Sequence, residues 1–322
     1  MIHQRIKIAK FQSLIALVLM CVILSFLSDK FLTPANGWNV LRQISVNICI
    51  SVGMTLIILT AGIDLSVGSI LAFSGAVVAG LLKFGIEMPS YDLYVGFTLL
   101  GGVLSGLLVG AALGAFNGLV ITKFKVPPFV ATLAMLTIAR GFTMLWTKGY
   151  PISSLGKEFA YIGTGWFLGV PVLVWIAALI VIGAIILTNR TAFGKYIYAI
   201  GGNENAARLS GININRVKIW VYTLAGILAA IGGIMVTSRL NSAQPNAGLS
   251  YELDSIAAVV IGGTSLAGGR GTIAGTVLGA MIIGILNNGL VLMDVSPFWQ
   301  QVVKGAVILL AVMIDKANHK EE

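Results

Sequence analysis

Two ionisable residues stand inside apolar stretches, where a charge is costly. Asp64 lies in Ala61-Gly62-Ile63-Asp64-Leu65-Ser66-Val67-Gly68-Ser69, a glycine-flanked break between two apolar runs. A carboxylate so placed faces a cavity, a partner or water, which makes Asp64 and the adjacent Ser66 candidates for a gate or pathway. The same carboxylate also suits a helix cap, accepting backbone N–H bonds from a helix that begins near Leu65. Both readings are open. Arg140 lies about ten residues into its apolar run, about 15 Å deep at 1.5 Å per residue. At that depth it needs a carboxylate, a cluster of carbonyls or water, and Asp64 is the acidic candidate by character.

Other chemistries are missing. There is no G-x-x-x-x-G-K-[ST] phosphate loop, so ATP hydrolysis is not expected in this chain. Both histidines, His3 and His319, stand at the ends, and no HExxH occurs. Serine–histidine and zinc proteolysis are therefore excluded as far as motifs can exclude them. A two-aspartate intramembrane protease lacks its second aspartate, since Asp254 sits near a loop. Cys21 and Cys49 lie in or beside apolar runs and imply no disulfide framework. No catalytic residue, metal ligand or cofactor site is expected, and transport is the class that remains.

The elements that must position these residues are membrane helices. Hydrophobic residues make up 57% of the 322 residues and charged ones 10%, where a soluble domain has about a quarter charged. Apolar runs of the roughly 17–25 residues that cross a hydrocarbon core recur throughout. The expectation is an all-α polytopic transmembrane bundle, a single transmembrane domain over residues 1–322. About ten spans start near Phe11, Ile44, Val67, Tyr94, Val130, Val170, Ile219, Asp254, Thr272 and Gln301. The eighth is short and glycine-bounded, as a half-helix or re-entrant segment would be. The first follows Arg5, Lys7 and Lys10 without a small-x-small cleavage site, and reads as an uncleaved helix.

The net charge of +9 is scattered over short loops, as orientation signals are, and is not a nucleic-acid footprint. With the N-terminus inside, thirteen basic residues fall on cytoplasmic segments, Lys320 among them, and six, Arg42 among them, on outer ones. Both termini are then cytoplasmic and the number of spans is even. Outer loops cover about residues 147–167 and 237–253. The first is framed by Trp146, Tyr150, Tyr161 and Trp166 as an interfacial belt; in the second, Asn241 and Gln244 are pathway candidates. An inner loop covers about residues 189–218.

Two local patterns add detail. Gly102, Gly106, Gly110, Gly114 and Gly118 recur every fourth residue, so another backbone can approach closely. Four residues advance about 400°, so this stripe drifts about 40° per step and suits a partner crossing at an angle. Packing inside the bundle and packing between subunits are both open. In the inner loop, Gly201 and Gly202 precede Asn203, a good N-cap; Glu204 suits the helix start and Gly211 its end. Glu204, Ala206, Ala207 and Arg208 would fall on a helix of about seven residues, about 10 Å long, which needs a docking surface to be stable. That surface is either another protein or the chain's own cytoplasmic face. Residues 262–269 loosely echo residues 61–68, yet the span order puts both on one side, where an inverted repeat would oppose them.

At these residues the chain resembles the permease subunits of bacterial ATP-driven sugar importers of the ribose type. The resemblance covers nearly everything after about residue 11. Its specific stretches are residues 52–69 (VGMTLIILTAGIDLSVGS), 194–214 and 239–271, the last with SAQP and ELDSIAAVVIGGTSLAGG. It implies a homodimer in the bacterial inner membrane, a cytoplasmic ATP-binding subunit carrying ATP and Mg, and a periplasmic sugar-binding protein. Glu204 to Gly211 looks like the EAA---G coupling sequence, with Asn205 inserted after the glutamate. This favours docking on the ATPase for residues 201–211. An ion-coupled secondary transporter, an importer of another monosaccharide and a regulatory or scaffold membrane subunit are the rival readings.

Overall fold

In hydrocarbon each backbone N–H and C=O must be satisfied within the protein, which is why the apolar runs become helices. A computed structural model describes residues 2–88, 90 and 92–319. The helices, in chain order, are α1 (Ile2–Leu27), α2 (Pro34–Leu59), α3 (Val67–Phe84), α4 (Leu99–Lys123), α5 (Pro128–Thr147), α6 (Lys157–Thr164), α7 (Val172–Arg190), α8 (Ala192–Gly202), α9 (Glu204–Leu209), α10 (Ile214–Leu240), α11 (Tyr251–Ile261), α12 (Ile273–Leu292) and α13 (Pro297–His319). Among the described residues, six short strands lie in the connections: β1 (Ile86–Met88), β2 (Leu93–Val95), β3 (Ile152–Ser153), β4 (Trp166–Phe167), β5 (Val170–Pro171) and β6 (Ser242–Ala243). They pair antiparallel as β1 with β2, β3 with β6 and β4 with β5.

Among the described residues, seven helices (α2, α3, α4, α5, α7, α10 and α12) are long and apolar enough to cross a membrane. The chain is an all-α polytopic membrane bundle. The short eighth run is α11, whose 11 residues give about 16 Å, half of a hydrocarbon core roughly 30 Å thick.

Four helix starts differ by five residues or more from the hydropathy reading: α1 begins at Ile2 and not near Phe11, α10 at Ile214 and not near Ile219, and α2 and α4 differ for local reasons. α2 begins at Pro34, well before Ile44, because the Thr33 hydroxyl caps the Asn36 N–H and Pro34 is already set for a first turn. Arg42 is thereby inside a helix and not in a loop. α4 begins at Leu99, capped by Thr98, because Tyr94 is taken into the β1–β2 ladder. Lys320 lies outside the described residues, as do the side chains of Arg5, Lys7 and Lys10.

The chain forms two compact units from alternating stretches. The first comprises Met1–Gly62, Ala177–Ile214 and Leu253–Glu322. In it α2 packs along α12, and α1 covers α12 through Leu17, Leu24, Val40, Ile44, Ile282 and Ile285. Asn36 and Asn288 exchange amide hydrogen bonds of 3.0 and 2.9 Å. Thr55 and Thr276 share one of 2.7 Å. The second unit comprises Ile63–Ile176 and Asn215–Glu252, with the deeply buried α3 flanked by α4 and α5. Ala76, Val78, Ala79, Phe159, Ile234 and Ala243 form its core.

Candidate functional site

The inner loop folds into two short helices where the sequence suggested one. Asn203 ends α8 and caps α9, its Oδ1 accepting the Ala206 N–H at 2.9 Å. At the other end Gly211 takes φ +83°. The Gly211 N–H donates to Arg208 and the Ile212 N–H to Ala207, so a Schellman motif closes α9. These caps hold a helix of 6 residues, about 9 Å long, too short to persist by propensity alone. Within α9 only Ala207 is buried. Glu204 and Arg208 form an exposed i,i+4 pair at 3.4 Å, and Leu209 is 90% exposed, an apolar side chain with nothing covering it.

α9 is seated by α8. A Cβ on Gly201 would collide with the Leu59 carbonyl at the end of α2 and with the Gly269 N–H, while one on Gly202 would meet open space. The Gly269 N–H donates to the Leu59 carbonyl at 3.0 Å, and Gly268 sits against Ala61. The Tyr198 hydroxyl of α8 donates to the Gly271 carbonyl at 2.9 Å, and burial pushes that phenol above its ordinary pKa. The end of α2 and the 262–271 loop are therefore in direct contact.

The five glycines of α4 serve two neighbours in turn. Gly102 and Gly106 leave room for Leu82 and Val78 of α3. Gly110, Gly114 and Gly118 receive the backbone of α10 at Gly226, Tyr222 and Ile219. Four steps of about 40° rotate the stripe by about 160°, enough to turn it from one helix to the next.

Asp64 and Ser66 come together in a buried cluster of the second unit. Asp64 Oδ1 accepts the Ser66 N–H at 2.7 Å and its hydroxyl at 2.6 Å. The Ser66 hydroxyl oxygen in turn accepts the Asn117 amide of α4 at 3.0 Å. The carboxylate thus braces Ser66 in a local turn, and α3 starts one residue later at Val67. Asp64 Oδ2 and the nearby Tyr222 hydroxyl of α10 are buried with no hydrogen-bond partner among the described residues. Sequence reading missed Asn117 and Tyr222. A lone amide beside the glycine stripe was the available signal for Asn117.

Arg140 does not pair with Asp64. Its Nη1 donates to the carbonyls of Pro245 and Ala247, at 2.7 and 2.9 Å, with Glu252 as its acidic neighbour. The reason lies in the path of residues 241–250. Asn241 is fixed by accepting the Leu155 N–H at 3.0 Å through Oδ1, and Gln244 donates to the Ser242 hydroxyl at 3.1 Å. Ala243 packs with Ala76 and Ala79 of α3, and Gly248 then lies against Gly68, at the first turn of the same helix. The segment therefore runs along α3 in turns, and the carbonyls of Pro245 and Ala247 need a donor. Arg140 is that donor.

A second polar site, in the first unit, links α11, α12 and α13. Lys304 Nζ lies 3.0 Å from Asp254 Oδ2, which also accepts the Asn287 amide at 3.3 Å. Its cue was a lysine in an otherwise apolar run.

Among proteins of known sequence, a family model described as branched-chain amino acid transport system / permease component matches residues 37–312. The ribose import permease protein RbsC of Escherichia coli (strain K12) is 51% identical over 94% of this chain and 92% of its own length. RbsC of Bacillus subtilis (strain 168) is 50% identical, over 94% and 91%. The xylose transport system permease protein XylH of Escherichia coli (strain K12) is 35% identical, over 96% and 92%. No solved structure matches. With most of its length covered by that family model and by half-identical relatives, the chain belongs to the branched-chain amino acid transport system / permease component family.

Proposed function

We propose that this chain is the permease subunit of a binding-protein-dependent, ATP-driven importer carrying ribose across the bacterial inner membrane. It acts as a homodimer, surrounded by lipid, with a cytoplasmic subunit that binds ATP and Mg and a periplasmic sugar-binding protein. The observation that carries this reading is α9, a doubly capped helix presenting Glu204, Arg208 and Leu209 outward. Ribose is favoured over xylose because the relatives at about half identity are named ribose permeases, and XylH stands at 35%.

An even number of crossings, with the bias of basic residues toward the inner segments, supports both termini lying in the cytoplasm. To the seven long apolar helices are added α1, with apolar Ser13–Leu27, and α13. One further crossing is counted for α11, a helix of about 16 Å, with the turns of residues 245–250 that lead into it. That makes ten, an even number.

Reconstitution of the chain with an ATPase subunit, a sugar-binding protein and labelled ribose tests the reading. Uptake that requires both partners and ATP hydrolysis is expected. Uptake without the ATPase that collapses with an ion gradient would make it a secondary transporter, and no uptake would leave a scaffold. Glu204→Lys is expected to abolish ATPase-driven uptake while leaving the amount of folded permease unchanged. Unchanged uptake would remove α9 from the coupling role.

A further inference from the structure

α3 is a ruler for depth, since its 18 residues rise about 27 Å, close to a hydrocarbon thickness of roughly 30 Å. Ala243 lies at the level of Ala76 and Ala79, and Gly248 at that of Gly68. Asn246 lies between them in sequence, and the carbonyls on either side of it, Pro245 and Ala247, are both held by Arg140. Arg140 itself is seven residues before the end of α5, about 10 Å along the helix. Two independent helices thus place Asn246 deep in the bilayer, and it is exposed on the surface of the chain. An unbonded amide facing lipid would cost about 4–8 kcal/mol. Non-helical backbone at such depth is found only inside protein or beside a water-filled cavity.

We propose that Asn246 lines the aqueous sugar pathway of the assembled transporter and offers its carboxamide to the hydroxyls of the passing sugar. The Arg140 clamp fixes the backbone on both sides of it, so the amide projects from an immobilised segment. An amide donates and accepts at once, matching a polyhydroxy solute without fixing its charge.

This inference rests on the importer reading, and the test separates the two. In the reconstituted complex, with Cys21→Ser and Cys49→Ala as background, Asn246→Cys is treated with a charged, membrane-impermeant thiol reagent. Leu108→Cys, on the exposed apolar face of α4, is the lipid-facing control. Asn246→Cys is expected to react about tenfold faster or more, because the reagent is excluded from hydrocarbon, and the reaction is expected to stop ribose uptake. Reaction no faster than the control, in a complex whose unmodified form takes up ribose, overturns the inference alone. A complex that takes up no ribose before modification overturns the importer reading. If the cysteine variant does not fold, Asn246→Leu and Asn246→Gln decide: at equal folded protein, Leu is expected to lower uptake by about fivefold to tenfold and Gln to keep most of it. Full uptake by Asn246→Leu overturns the role.

Discussion

At the scale of single residues, adjacent positions in this chain carry opposite tolerances. Gly201→Ala would drive a methyl into the Leu59 carbonyl and is expected to cost about 1–3 kcal/mol, read as a lower melting temperature in detergent. Gly202→Ala meets open space and is expected to leave melting unchanged. Asn203→Ala removes the N-terminal side-chain cap of α9, worth about 1 kcal/mol, and Asn203→Asp restores it. ATPase activity driven by the binding protein should fall in the first and return in the second, at constant folded protein. These positions were legible in sequence because capping is local: Asn203 and Gly211 bracket their helix within a few residues. Asp64 was legible as an anomaly, but its surroundings were not. Asn117 and Tyr222 arrive from helices far along the chain, and nothing in residues 61–69 encodes them.

At the scale of elements, the same contrast separates periodicity from pairing. The glycine stripe of α4 could be read from spacing alone, drift included, but only packing reveals that it changes partner from α3 to α10. Gly110→Leu is expected to force α4 from α10 and sharply reduce folded protein, measured by monodisperse yield after extraction. Arg140 was legible as a buried cation in search of oxygen. Its acceptors were hidden because a polar stretch after a long apolar run reads as an outer loop, whereas residues 241–250 follow α3 inward. Arg140→Gln strips two charge-assisted bonds, each worth about 1.5–3 kcal/mol, and should lower melting more than any lipid-facing substitution on α5. The Asp254–Lys304 pair is expected to behave as a unit. Lys304→Met alone leaves a buried carboxylate without its cation and costs about 3–5 kcal/mol, and adding Asp254→Asn should recover most of that loss in melting temperature.

At the scale of the whole molecule, membrane residence and helical class followed from composition, because a 10% charged chain has too little polar surface to face water. α9, the proposed coupling helix, presents exposed side chains. Leu209→Asp is therefore expected to weaken co-purification of the ATPase subunit without moving the melting temperature of the permease, since Leu209 is 90% exposed. The Arg140 clamp also has a history in time. Its acceptors lie 105 and 107 residues downstream, and a ribosome adding about 5–20 residues per second reaches them about 5–20 s after α5 is made. During that interval α5 must enter the bilayer with an unpaired guanidinium, a burden of about 2.5–3.5 kcal/mol on insertion that the rest of α5 has to outweigh. A nascent chain stopped short of Pro245 is expected to hold α5 only marginally, so the segment that supplies the two carbonyls also decides when α5 becomes permanent.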